Sequence, residues 1–184
     1  FKEFPTVHIL SGHTHRNRCC YGRDDATQPD IANFTEHTVS AVSGTRWHTS
    51  AFGGPQIAVT GEPAGCKIFK IADRDIKWYF KATEFDAATQ FRCFDMNTVR
   101  DYFKSSGELK VFFDHFPKRT NYANFKKDNA IMINVWDWAP DWKIKVTENG
   151  KELEVVRKKA ENPQYMLSYE VPKSLWMLDL GSES

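Results

Sequence analysis

An Asn149–Gly150 pair between two alternating segments constrains the fold more than any other feature of this sequence. Polar and apolar residues alternate strictly over 142–147, and the alternation resumes over 152–155. Asn-Gly favours the two-residue turn of a β-hairpin, because both turn positions require a positive φ. The sequence therefore predicts a hairpin at this place.

Other short apolar or alternating segments follow one another between turns that contain glycine or proline. The strand predictions are 7–10, 35–43, 89–94, 109–113 and 130–136, with a further hairpin formed by 66–71 and 75–81. One helix is predicted at 97–104, where Asn97 can cap the first turn and Gly107 follows the end. Repeated short strands of this kind are typical of a mainly β protein that contains a β-sandwich module.

The charge balance excludes two classes of partner. Lys and Arg total 25 against 24 for Asp and Glu, so the formal net charge of the 184-residue chain is +1. This balance provides no electrostatic basis for binding nucleic acid or an anionic membrane. No run approaches the roughly 18 apolar residues that span a bilayer, so we expect no membrane span. Because the chain opens at Phe1 rather than Met, we expect it to be a fragment.

The residue types that bear chemistry are concentrated at Gly12-His13-Thr14-His15, directly after the first predicted strand. In an extended segment, residues i and i+2 point the same way, about 6.5–7 Å apart. Two neutral imidazoles so placed can each reach one metal of a pair held roughly 3.5–4 Å apart. Spacing alone leaves a solvated loop as the more frequent interpretation of a His-x-His pair.

The residues around this pair resemble a known family. Residues 7–17, Val-His-Ile-Leu-Ser-Gly-His-Thr-His-Arg-Asn, resemble the final GHxH motif of calcineurin-like metallophosphoesterases. Residues 35–47 are similar to the stretch after that motif in a bacterial subgroup. Residues 61–65 resemble the subgroup's DGTPNGY loop, with Glu62 where the family often has Thr and Cys66 where it has Tyr. Residues 76–82 and 133–136 resemble segments of its appended C-terminal domain, so the similarity covers nearly the whole chain.

The resemblance implies a fold and a domain organisation. Residues 1–82 would be the C-terminal remnant of the catalytic domain, that is, the closing strands of the metallophosphoesterase αββα sandwich. Residues 83–184 would form a β-sandwich-like accessory domain. The chain, whose last apolar residues lie in 178–181, is expected to stop before the family's final strand.

The resemblance also implies a dinuclear centre, in which His13 ligates one divalent metal and His15 the other. Manganese, iron and zinc all suit such ligands. Arg16 would lie near the phosphate, or else be a solvated surface residue. The family's upstream motifs, DxH, GDxx(D) and GNHD/E, do not occur in this sequence. Two imidazoles leave most coordination positions unfilled, so the metal centre should be incomplete or absent in this chain.

The activity implied for the parent protein is metal-dependent hydrolysis of a phosphate mono- or diester, with an upstream catalytic domain as the partner of this chain. The isolated chain is expected to be inactive. A periplasmic or exported location is implied by the resemblance, with a cytoplasmic location as the alternative.

Other residues admit a competing interpretation as a binding module. Trp136, Trp138 and Trp142 form the densest aromatic cluster. Tryptophans exposed on a β-sandwich can stack on sugar rings, which would make the domain a non-catalytic module for glycan or protein. A face packed against the catalytic domain explains them equally well and is favoured here. A third alternative is a purely structural domain. His37 and His48 are interpreted as structural rather than functional histidines.

Overall fold

The computed structural model describes residues 3–13, 17–21, 33–40, 52–53, 56–139 and 142–182. Its first three strands form one sheet: β1 (Val7–Ser11), β2 (Arg18–Tyr21) and β3 (Phe34–Thr38). The central strand β3 runs parallel to β1 and antiparallel to β2. The strand predicted at 7–10 is confirmed, and so is the part of 35–43 that lies within β3. Residues 41–43 lie outside the described residues.

The hairpin predicted at 66–71 and 75–81 is also confirmed. Strands β4 (Gly65–Ala72) and β5 (Asp75–Ala82) pair antiparallel along their whole length. Asp73 begins the connecting turn with a φ of 52°. Asp tolerates this left-handed conformation better than most residues do, because its short polar side chain can hydrogen-bond locally.

In the second half, β6 (Phe91–Asp95) pairs antiparallel with β7 (Ile131–Val135), and two α-helices and a short 3₁₀ helix (Tyr122–Asn124) lie between them in sequence. The predicted helix at 97–104 is confirmed as α1 (Met96–Ser105), with Asp95 rather than Asn97 as its cap. The strand predicted at 109–113 is wrong, since this segment belongs to α2 (Gly107–His115).

The physical reason for α2 lies in a cap and in a spacing. The Ser106 hydroxyl accepts a hydrogen bond from the Leu109 backbone N–H, which starts a new helix directly after α1. Leu109 and Phe112, three positions apart, are then buried on the same helix face. A short apolar run does not by itself distinguish a strand from a buried helix.

The Asn149–Gly150 hairpin is confirmed, although its strands are shorter than predicted. Strand β8 (Val146–Glu148) pairs with β9 (Lys151–Leu153). Asn149 has a φ of 51° and Gly150 a φ of 78°, which are the two positive values that the turn requires.

The C-terminal residues are helical, which the sequence analysis did not anticipate. Helix α3 (Pro163–Tyr165) continues through a π-helical turn (Met166–Glu170) into α4 (Val171–Ser182). Asn162 caps the start, since its side-chain oxygen accepts a hydrogen bond from the Tyr165 backbone N–H. Proline at the first helical position needs no hydrogen-bond partner there.

The mainly β class is confirmed, with sheets that are small and not closed. The larger core lies in the second half, where helices contact the β6–β7 sheet through Phe94 and Met132, so the layer against this sheet is helical. Its buried members are Met96, Phe103, Leu109, Phe112, Tyr122, Met166 and Val171. A division at residue 82 stays a prediction. Among the described helices, none has the length and apolar character needed to cross a membrane.

Candidate functional site

The GHTH segment begins where β1 ends. Gly12 and His13 follow Ser11 directly, and both are exposed. His13 has a φ of 78°, a value that is uncommon for a residue with a side chain and that recurs at functional sites. The predicted metal ligand His15 and the predicted phosphate-side residue Arg16 lie outside the described residues, so the structure does not show whether they approach His13.

The start of this segment is held by β3. The Ser11 hydroxyl donates a hydrogen bond of 2.8 Å to the Glu36 carboxylate and lies 3.2 Å from the Thr38 hydroxyl oxygen. The Ser11 carbonyl accepts a 2.9 Å hydrogen bond from the Val39 backbone N–H. The main chain that leads into His13 is therefore fixed both by its side chain and by its backbone.

The end of the segment is held by a buried carboxylate. Asn17 is buried, and its backbone N–H donates a hydrogen bond of 3.2 Å to Glu62 Oε1. Glu62 is only 2% exposed, and its second oxygen accepts a hydrogen bond from the Thr60 hydroxyl. Burial raises the pKa of Glu62, while the hydrogen bonds from Thr60 and Asn17 act in the opposite direction. Sequence reasoning assigned Glu62 no role, because 45 residues separate it from Asn17.

The loop that carries Glu62 is held by residues of the second half. Gly61 has a φ of 91°, and a Cβ atom there would lie 2.0 Å from the Asn162 side-chain nitrogen and 2.7 Å from Asn134 Oδ1. The Asn134 side chain also donates a 3.0 Å hydrogen bond to the Thr60 carbonyl. The position of Glu62 thus depends on a residue of β7 and on the residue that caps α3.

A second group of polar residues is buried between the N-terminal sheet and the β4–β5 hairpin. We call it the His37 cluster; its members are His8, Cys19, His37, Lys67 and Asp137. The two imidazoles stack with centroids 5.3 Å apart and share a hydrogen bond of 2.9 Å between Nδ1 of His8 and Nε2 of His37. The cysteine Sγ lies 3.4 Å from Nδ1 of His37 and accepts a 3.2 Å hydrogen bond from Lys67 Nζ.

The electrostatics of this cluster disfavour a second positive charge. Burial, then the Lys67 ammonium, then His8 lower the pKa of His37 to about 4. The edges of Trp78 and Phe69 close off the same ring. Burial and the Asp137 carboxylate raise the pKa of the Cys19 thiol, which makes it a poor nucleophile. The stacking and the hydrogen bonds place His37 in a buried structural network, as predicted for it; His48 lies outside the described residues.

The chemistry of the donors decides what this chain can hold. The His13 imidazole at an exposed strand end is a suitable metal ligand. Within the part of the chain that the structure describes, no group of three or more His, Cys, Asp or Glu side chains is arranged to hold a metal ion. Among the described residues, His13 therefore belongs to no group that could hold a metal ion by itself.

The aromatic cluster does not form one exposed platform. Trp136 is 1% exposed and packs edge-on against Phe80 and Phe85. Trp138 is partly buried, and the Arg157 guanidinium lies 3.7 Å from its ring centroid. Packing, the interpretation favoured from the sequence, is what the structure shows for Trp136, and its partner Phe80 belongs to the segment assigned to the catalytic domain.

Comparison with known families matches residues 36–177 to the C terminal of calcineurin-like phosphoesterases, a match that covers most of the chain. This protein belongs to that family. The match includes Glu62, Lys67 and Asp137, whereas the GHTH segment lies before its first residue. Family membership is therefore established by residues other than the predicted metal ligands. No curated protein and no solved structure matches the chain.

Proposed function

We propose that this chain is the C-terminal part of a metal-dependent phosphohydrolase, to which it contributes His13 and His15 as ligands of a dinuclear metal centre. The proposal is carried by one observation. An exposed histidine with a left-handed backbone stands in a segment whose two ends are fixed, at Ser11 and at Asn17, within a chain of this phosphoesterase family. Fixed ends reduce the entropy that ligand residues lose when they are ordered around a metal.

The chemistry of the bound metals is phosphoester hydrolysis. Two divalent cations stabilise the charge that develops on a transferring phosphoryl group. This chain supplies the imidazoles of His13 and His15, which follow β1 in the sequence. Upstream residues of the longer protein supply the missing ligands and the substrate pocket, since the described residues do not form a complete donor set. A phosphate mono- or diester is the substrate class, and the isolated chain is inactive.

The experiment compares histidine variants in the longer protein that contains the upstream domain. Hydrolysis of p-nitrophenyl phosphate and of bis-p-nitrophenyl phosphate is measured with manganese, iron or zinc. His13→Ala and His15→Ala should each lower kcat/KM by about 100-fold or more, because a lost ligand costs at least as much as a lost outer-sphere partner. His115→Ala is the matched control, since His115 is an exposed histidine at the end of α2 and should leave the rate unchanged.

Two results would contradict the proposal. Unchanged kcat/KM in both histidine variants would remove the GHTH segment from the site. Hydrolysis by the 184-residue chain alone, abolished by His13→Ala, would show that the donor set is complete without an upstream domain. The exported location is part of the same proposal and is tested by fractionating cells that express the full-length protein.

A further inference from the structure

We infer that Glu62 is a positioning residue for the metal motif, holding the downstream end of segment 12–17 through the backbone of Asn17. The inference rests on the proposed function for the role of that segment. It deepens the proposal by assigning a residue outside the GHTH segment and far from it in sequence.

Asn17 is held by its backbone. Its side-chain amide is buried, and neither its oxygen nor its nitrogen has a hydrogen-bond partner among the described residues. The side chain therefore makes no hydrogen bond that would hold the segment to the part of the chain that the structure describes. The 3.2 Å hydrogen bond from the Asn17 backbone N–H to Glu62 Oε1 is the contact that does. Loss of the acceptor would leave a buried backbone N–H without a partner, which costs the desolvation free energy of that group.

The carboxylate of Glu62 lies on a turn that is itself held in place. The backbone of Glu62 is part of a tight turn in which the Ala58 N–H donates to the Glu62 carbonyl at 2.8 Å. The neighbouring Gly61 is packed so closely that a Cβ atom there would clash with the side chains of Asn162 and Asn134. The turn is thus pressed against β7 and the start of α3, so the accessory half of the chain fixes the carboxylate in place.

The upstream end of segment 12–17 is held through Ser11, the residue directly before it. Ser11 is bound by Glu36 and by the backbone of Val39, both on the side of β3. Segment 12–17 is therefore fastened at one end to the N-terminal sheet and at the other to the Glu62 turn. Loss of either contact should leave the histidines on a segment that is free at one end.

Amide exchange of the 184-residue chain without metal provides the direct test. Glu62→Ala should raise the exchange rate of the Asn17 amide by about 10-fold or more, because the acceptor is lost. Glu62→Gln keeps an oxygen acceptor for Asn17 and a partner for the Thr60 hydroxyl, so it should stay near the wild-type rate. Glu84→Gln alters an exposed glutamate without a role in the turn and is the matched control.

Manganese binding by the full-length protein separates positioning from general stability. Glu62→Ala should weaken manganese binding by about 10-fold, comparable to the loss of an outer-sphere partner, with Glu62→Gln restoring it. An Asn17 amide that exchanges at the wild-type rate in folded Glu62→Ala would overturn the inference. So would a loss of metal affinity that Glu62→Gln does not restore.

Should Glu62→Ala fail to fold, Thr60→Val replaces it, since it removes the hydroxyl that orients the carboxylate and keeps the volume. Faster exchange at Asn17 in Thr60→Val, with the β4–β5 amides unchanged, upholds the inference, and an unchanged Asn17 rate overturns it. A full-length wild-type protein that binds no manganese, iron or zinc would refute the proposed function instead. The exchange data, recorded without metal, would still decide whether Glu62 anchors the segment.

Discussion

The Lys67 ammonium group lies 2.7 Å from the Asp137 carboxylate, with both side chains almost completely buried. This ion pair joins strand β4 to the residues directly after β7, and its lysine also donates to the Cys19 thiol. Asp137 has a φ of 53°, a left-handed conformation that Asn adopts about as readily as Asp. The pair therefore connects the two segments that the sequence analysis assigned to different domains.

Removing one partner of this pair should be costly. Lys67→Met or Asp137→Asn leaves the other charge buried without compensation, which costs about 3–5 kcal/mol of unfolding free energy. The double variant should recover much of that loss, because no unpaired charge remains. Chemical denaturation of the four proteins measures the coupling, and single variants that lose less than about 1 kcal/mol would show that the pair is solvated.

His37 should make the protein less stable in mild acid. Its folded-state pKa of about 4 lies below the ordinary histidine pKa of 6.5, so the unfolded chain takes up a proton that the folded chain does not. Stability should therefore fall as the pH drops from about 6.5 to about 4, by up to roughly 3 kcal/mol, and show no His37 contribution above that window. Among the described residues, the titratable groups that act on the ring are His8, Cys19 and Lys67, and Asp137 contacts the last two of these.

The control for this prediction removes the titrating group. His37→Gln should flatten the pH dependence of the unfolding free energy between pH 4 and 6.5, whereas His115→Gln on the surface should leave it as it is. An equally steep dependence in His37→Gln would assign the acid sensitivity to other groups, His8 among them, whose pKa is also lowered by burial.

Gly61 should tolerate alanine far less well than Gly150 does. Both glycines have a positive φ, of 91° and 78°, but a Cβ at Gly150 meets nothing within 4 Å. Gly150→Ala should cost about 1–2 kcal/mol for the left-handed backbone alone. Gly61→Ala adds a clash with Asn162 and should cost about 2 kcal/mol more, within the range known for overpacking. Thermal or urea unfolding distinguishes the two, and equal losses would contradict the close packing of this turn.

Substitution by alanine should cost more unfolding free energy at Trp136 than at Trp138. Trp136→Ala opens a cavity beside Phe80 and should cost about 3–5 kcal/mol of unfolding free energy. Trp138→Ala removes a contact with the Arg157 guanidinium that is worth about 1 kcal/mol. Glycan-array binding that is lost in Trp138→Ala, with the fold intact, would revive the binding-module interpretation.

The parts of the fold that could be predicted are those governed by local chemistry. Asn149 and Gly150 have the two positive φ values that a tight hairpin turn demands. An Asn-Gly pair between alternating segments therefore predicts the turn from local sequence. The strand predicted at 109–113 is wrong, because a run of five mostly apolar residues is compatible with the period of a strand and with that of a helix. The Ser106 hydroxyl, whose hydrogen bond to Leu109 decided for the helix, was not recognised as a cap.

In the candidate site too, the residues of a local motif could be predicted from the sequence, and a residue that acts through a distant contact could not. His13 and His15 were found because a motif of four consecutive residues is visible in any single sequence. Glu62 was missed because nothing local distinguishes an anchoring carboxylate from a solvated one. Glu62 accepts a hydrogen bond from the backbone of Asn17, and these two residues, 45 positions apart, meet only in the folded chain.

By itself, the sequence determined the two β-hairpins, helix α1, the location of the GHTH segment and the resemblance to calcineurin-like phosphoesterases, since each depends on residue types a few positions apart. Only the tertiary structure decided that Lys67 is buried beside Asp137, that His37 is held neutral, and that Glu62 fastens Asn17. The physical reason is burial. A charge or a polar group acquires its energy from the groups that replace its water, and in this chain those groups come from distant segments.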